Sequence, residues 1–260
     1  MMNQMFRFIP LLSFALLTGC VTITEGQVAN NADPIDMAES RIALGLGYLD
    51  NGAMVKAYDN LQQALNHAPD YYRAQLSMAH YYELVGENGK AQDLYRKAAR
   101  QHPKNGNVLN NYGTFLCKQG DYAQADKLFN QAIAQPYYYL IPASYENAAF
   151  CALKAGFKAK AQTYFTRAID YDPHRPKSIL NLAKLEIEAG NYTQARLRLM
   201  RFHQSYGLQS PSLQLLIELE TKGGEPSVGE KISAGVRKVD GQAELKCHLM
   251  QNRLRFTQAA

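Results

Sequence analysis

The 260-residue chain lacks the residue groupings from which chemistry is usually read. It has four cysteines and six histidines, but no CxxC pair and no Cys/His cluster, which argues against a metal site. His67, His80, His102, His174, His203 and His248 are scattered over expected turns and helix surfaces. No HExxH, GxSxG, Walker or GxGxxG pattern occurs. The carboxylate pairs Glu186/Glu188 and Glu218/Glu220 stand two residues apart on expected helices, so their members point in different directions. These absences predict no catalysis, no cofactor and no small-molecule substrate. The formal charge of +5 is modest, and lysines and arginines are dispersed among acids, which argues against a nucleic-acid surface. Hydrophobic residues make up 47%, an ordinary globular share, so a substantial core is available.

The first residues are set apart from the fold. Arg7 supplies a positive start, and Ile9 to Leu17 form an apolar stretch too short to span a bilayer stably. Leu17-Thr18-Gly19-Cys20 then places small residues just before a cysteine. This resembles a bacterial lipobox, with residues 1–19 as signal peptide and Cys20 as the lipidated N-terminus. Thiol chemistry is needed there because diacylglycerol is attached through a thioether. Val21 stands where inner-membrane lipoproteins typically carry Asp, so the resemblance implies an outer-membrane anchor facing the periplasm. Each buried acyl CH₂ contributes roughly 0.8 kcal/mol to that anchor. Residues 20–37 read as a lipidated tether. From Val21 to about Pro34 it is rich in Thr, Asn and Gly with no apolar period. Extended at roughly 3.3 Å per residue, it reaches on the order of 45 Å.

Helical periodicity begins at Ala38 and recurs five times. The copies are Gly52-Ala57-Leu61-Ala64-Pro69, Gly86-Ala91-Tyr95-Ala98-Pro103, Gly120-Ala125-Phe129-Ala132-Pro136, Gly156-Ala161-Phe165-Ala168-Pro173 and Gly190-Ala195-Leu199-Phe202. The glycines are 34, 34, 36 and 34 residues apart. This is the periodicity of tetratricopeptide (TPR) repeats, stacked helical hairpins that bury a core only against their neighbours. Each marker has a physical role. A glycine can take positive φ and end the first helix, small residues let the paired helices approach, and the large residue between them fills the gap. Proline stops the second helix. Gly45, Ala79, Gly113, Ala149 and Ala183 hold the small position of the five first helices. The expected fold is an all-α TPR solenoid: five hairpins over 38–209, then a degenerate sixth repeat and a cap helix over 210–260.

Three features lie outside the regular pattern. Between the third and fourth copies, Tyr137-Tyr138-Tyr139 falls in a connection two residues longer than the others. It is either an exposed recognition edge or a cover over the joint, and the density of aromatic residues favours the cover. Cys117 and Cys151 occupy nearly equivalent places on successive first helices. In the oxidising periplasm implied by the signal they are expected to form a disulfide; the alternative is a pair of buried thiols. Cys247 is left without a partner. First helices of TPR arrays line a groove that captures a peptide or helix, and Ile42, Leu46, Leu49, Leu76 and Leu84 are the expected groove residues. Leu44 and Tyr48 are expected to point inward. The Lys/Asn clamp by which some TPR domains hold C-terminal carboxylates is not recognisable.

The middle of the chain narrows the resemblance. Asn110-Asn111-Tyr112-Gly113-Thr114-Phe115-Leu116-Cys117 and Asn147-Ala148-Ala149-Phe150-Cys151-Ala152-Leu153-Lys154-Ala155-Gly156 resemble the PilF/PilW family, the TPR lipoproteins or pilotins of type IV pilus biogenesis. The resemblance extends over the mature chain but is weak from Gly223 onward. It implies a partner, the pilus secretin, whose outer-membrane localisation and multimerisation the protein would promote. The competing class is a TPR lipoprotein scaffold for other envelope machinery, such as peptidoglycan enzymes or barrel assembly. If Cys20 carries the anchor, Cys20→Ser yields unprocessed or soluble protein. Fractionation that still finds the variant in outer membranes at normal levels overturns the anchor.

Overall fold

The computed structural model describes residues 33–223. The signal peptide, Cys20, most of the tether, Cys247 and the expected turn and cap beyond 223 lie outside the described residues. Five helical hairpins follow one another: α1 (Pro34–Asp50) with α2 (Met54–His67), α3 (Tyr72–Leu84) with α4 (Asn88–Gln101), α5 (Gly106–Lys118) with α6 (Tyr122–Ile133), α7 (Ile141–Lys154) with α8 (Lys158–Tyr171), and α9 (Pro176–Glu188) with α10 (Tyr192–Tyr206). A lone first helix, α11 (Ser210–Gly223), closes the described array, and no strand occurs among the described residues. The fold is the all-α TPR solenoid. Helix α1 starts at Pro34, four residues before the apolar period sets in at Ala38. Proline is preorganised for a first turn and loses no hydrogen bond there.

Every hairpin turns the same way. Gly52, Gly86, Gly120, Gly156 and Gly190 all have positive φ, between 69° and 87°. That lets the next residue's N–H reach back five residues to the first helix, as from Asp121 to the Leu116 carbonyl at 2.9 Å and from Glu87 to Tyr82 at 2.8 Å. These bonds satisfy carbonyls that would otherwise be orphaned at the helix end. Both helices of the third hairpin are also capped by side chains: Asn105 accepts from the Asn107 and Val108 N–H groups of α5, and Asp121 from the Gln124 N–H of α6.

Inside each hairpin the small residue of the first helix lies under the large residue of the second. Ala57, Leu61 and Ala64 are fully buried, as are Ala125, Phe129 and Ala132, and Ala161, Phe165 and Ala168. A Cβ on Gly45 would stand 2.6 Å from Leu61 Cγ, and one on Gly113 would stand 3.0 Å from the Phe129 ring. Burying each such large side chain contributes about 1.5–3 kcal/mol. Helix α11 adds Leu219 to the last core cluster, against Ile187 and Leu199.

The joint between the third and fourth hairpins is built differently from the rest. Cys117 of α5 and Cys151 of α7 are joined by a disulfide, with Cα atoms 5.7 Å apart. The tyrosine run divides. Tyr138 is buried on Gly106, where a Cβ would collide with its ring. Its hydroxyl donates to Ser144 Oγ (2.8 Å), because Ser144 gives its own proton to Asn110 Oδ1 (2.9 Å). Asn147 Nδ2 donates to the same oxygen at 3.1 Å. Tyr137 and Tyr139 instead project into solvent, at 102% and 77% exposure, and Tyr137 has a φ of 61°. The expected cover is therefore supplied by Tyr138 alone. The longer connection buries one ring in the joint, and the turn made at Tyr137, with its positive φ, leaves the flanking rings outside.

Two measurements test this packing. Gly45→Ala forces a methyl into Leu61 and should cost about 1–3 kcal/mol by overpacking. Gly47→Ala, with nothing within 4 Å of its Cβ, should stabilise by about 0.4–1 kcal/mol. Thermal melts that shift in the opposite order contradict the close approach. Replacing both Cys117 and Cys151 by serine should cost about 3 to 4 kcal/mol in the chain-entropy model, read as a lower melting temperature matched by reduced wild type.

Candidate partner-binding face

The packing of the helices decides which side of the array can receive a partner. Successive first helices lie against one another, α1 on α3, α3 on α5, α5 on α7 and α9 on α11. Neighbouring second helices make no comparable approach. The array therefore closes on its first helices, which form its inner side. The residues turned away from the hairpin partner on that side are Glu39, Ala43, Leu46 and Asp50 on α1, and Arg73, Ser77, His80 and Leu84 on α3. The same register gives Asn107, Asn111, Thr114 and Lys118 on α5, Asn147 and Lys154 on α7, and Lys177, Asn181, Lys184 and Glu188 on α9. The face changes along the array from two leucines among charged residues, through amides, to lysines.

Acidic residues bridge this face from one hairpin to the next. Glu39 of α1 accepts from Tyr71 and, at 2.8 Å, from Arg73. Burial and the Glu39 carboxylate push the Tyr71 phenol up to about 12, so it remains a donor. Glu83 of α3 accepts from Tyr95 at 2.5 Å and Lys118 at 2.8 Å, and burial beside Glu83 pushes the Tyr95 phenol far above its usual value. Glu146 of α7 accepts from two nitrogens of Arg175 (2.9 and 3.3 Å) and from Ser178 (2.6 Å). On the other side of the third joint, Asp126 of α6 accepts from Tyr164 at 2.8 Å and Lys160 at 2.7 Å. Pairing several donors on one carboxylate is worth more than an isolated surface pair. These latches hold each hairpin's angle to the next, and so the shape of the face.

The structure splits the expected groove residues. Ile42 and Leu49 are not groove residues: they are buried at 1% and 7% exposure, packed with Ala74 and Met78 of α3 respectively. Both lie between α1 and the next hairpin, one helical position round from the inner stripe. Leu76 is half-buried against the central core, and Leu46 is half-buried against the first-hairpin clusters. Leu84 is 52% exposed. The exposed apolar part of the inner face is thus Leu84 with the free side of Leu46, while Leu76 shares the register of Ile42 and faces the next hairpin. Leu44, expected to point inward, is exposed instead, because it lies on the side of α1 opposite α3. Tyr48 does pack inward in part, beside Leu49 and Leu61. The bridging carboxylates Glu83 and Glu146 were not singled out from the sequence. Their signal is an acid on a first helix with a cation about thirty to thirty-five residues on, close to one repeat period.

Comparison with known proteins agrees with this architecture. Two models described as Tetratricopeptide repeat match residues 94–127 and 152–201. The type IV pilus assembly protein PilF of Pseudomonas aeruginosa is 32% identical over 204 residues, spanning 78% of this chain and 81% of that protein. Its solved structure superposes with a TM-score of 0.69 at 27% identity, covering 81% of this chain and 99% of that one. The crystal structure of PilW, a widely conserved type IV pilus biogenesis factor, superposes with a TM-score of 0.68 at 25% identity, covering 77% and 92% of the two chains. A repeated core that buries the same positions, together with this relationship along most of its length, makes the chain a member of the type IV pilus biogenesis family of TPR proteins that includes PilF and PilW.

Proposed function

We propose that this protein is a pilotin: a lipoprotein held in the outer membrane through Cys20, facing the periplasm, that binds the type IV pilus secretin and promotes its localisation and multimerisation. The observation that carries this reading is the pair of leucines left uncovered on the inner face of the first two hairpins, Leu46 and Leu84, in a chain of the type IV pilus family. Burying an apolar segment of the secretin there removes hydrocarbon from water at about 25 cal/mol per Å². A fixed, latched array loses little conformational freedom on docking, which favours capture. The role requires binding alone and no catalysis. A tether of about fourteen residues, at roughly 3.3 Å each, would keep the first hairpins within about 45 Å of the membrane in which the secretin must assemble.

A deletion strain, complemented with variants, tests the reading. The deletion should lose twitching and heat-stable secretin multimers, and wild type should restore both. Leu84→Glu should leave stability within about 0.5 kcal/mol of wild type, because the site is exposed, yet restore multimers poorly. Ile42→Glu places a charge in the first core and should unfold the first hairpin at a cost of several kcal/mol. Normal multimers in the deletion strain end the pilotin reading and favour the envelope-scaffold class. Full rescue by Leu84→Glu keeps the pilotin and moves its docking surface elsewhere.

A further inference from the structure

A chemically different recess lies away from the inner face. It opens beside α10, bounded by the end of α8 and the start of α9, with a volume of about 400 Å³. That is the size of a site for a small ligand or the last residues of a peptide. Ile169, Ile179, Leu197 and Phe202 line it with hydrocarbon, and Leu197 is still 46% exposed. Two arginines border it and differ in state. Arg198 is committed, donating to both oxygens of buried Glu186 at 2.9 and 2.7 Å. Arg201, one turn further along the same wall, has no acidic partner among the described residues. Tyr206 also lines the recess, its ring centroid 4.9 Å from that of Phe202.

These facts point the same way. An open leucine in a concave site leaves hydrocarbon in water. A guanidinium with no acidic partner at the same place selects a planar anion that can accept two parallel N–H bonds. The complement is a carboxylate joined to an apolar side chain. We propose that this recess binds the C-terminal residue of a partner polypeptide, its apolar side chain on Ile169, Ile179 and Leu197 and its free carboxylate on Arg201. A polypeptide is favoured over a fatty acid because Gln194 and Gln204 on the rim match main-chain amide groups. The site is separate from the apolar start of the inner face, and it stands or falls independently of the secretin reading.

Methyl NMR of the full mature chain, labelled at Ile and Leu, decides the matter with three probes: acetyl-Gly-Ser-Leu as the free acid, the same peptide as its C-terminal amide, and octanoate. The free acid should shift the methyls of Ile169, Ile179 and Leu197 saturably and bind roughly tenfold or more tightly than the amide, the difference made by one charge-assisted pair. Arg201→Gln should abolish the preference for the acid while leaving the remaining methyl spectrum unchanged. Leu197→Glu should abolish binding of both peptides. Equal affinity for acid and amide overturns the proposal, as does octanoate binding as tightly as the peptide acid. Silence of the three methyls with every probe also overturns it, and is the result expected if residues beyond 223 or a second copy of the chain fill the recess. Should Leu197→Glu fail to fold, the acid–amide comparison in Arg201→Gln still decides.

Discussion

The close approach of two helices over a residue with little or no side chain is the contact on which the array depends. Gly45 admits Leu61, and Gly113 admits Phe129. Alanine serves in the other hairpins, where Ala79, Ala149 and Ala183 are fully buried. Each hairpin so formed still has an apolar flank, and only the next hairpin can cover it. The positive-φ glycine sets the return path, and the buried pair sets the separation. Repetition then becomes a physical requirement: a single hairpin of this kind would leave residues such as Ile42 and Leu49 in water.

The joints do a different task. Latches at Glu39, Glu83 and Glu146 each gather two donor residues on one carboxylate, yet several of those donors remain partly exposed. Their contribution to stability is accordingly small, and their effect is on geometry, since a bidentate or multiply paired carboxylate permits few angles. The third joint carries a covalent link as well. There the connection is longer, and the disulfide, the buried Tyr138 and the Asn110–Ser144–Asn147 hydrogen bonds together replace a simple latch. The middle of the inner face is thereby its most constrained part.

Along that constrained surface the chemistry changes, from two leucines among charged residues in the first two hairpins to asparagine in the third and fourth and lysine in the fifth. A partner segment lying along the face would meet Leu46 and Leu84 at one end and mainly amides and lysines at the other. Such a change favours one orientation, because a reversed segment would bury polar groups against leucine. The outward recess beside α10 adds a site of another kind, small and with one uncommitted cation, on the opposite side of the helices from this face.

The architecture was legible in the chain because it rests on local spacing. Glycines at 34- and 36-residue intervals, with alanine, a large residue and alanine at fixed offsets, specify the turn, the approach and the packing without reference to distant residues. The pairing of Cys117 with Cys151 followed from the same register. The partner-binding face was legible only in part. Ile42, Leu46 and Leu49 share one helical stripe, and periodicity cannot tell which edge of that stripe the next hairpin will cover; α3 covers Ile42 and Leu49 and leaves one side of Leu46 free. In the same way three consecutive tyrosines look alike in sequence, but the space over Gly106 accepts one ring. Local spacing determined which hairpins form. Their stacking decided which side chains remain outside, because burial there depends on the angle between elements far apart in the chain.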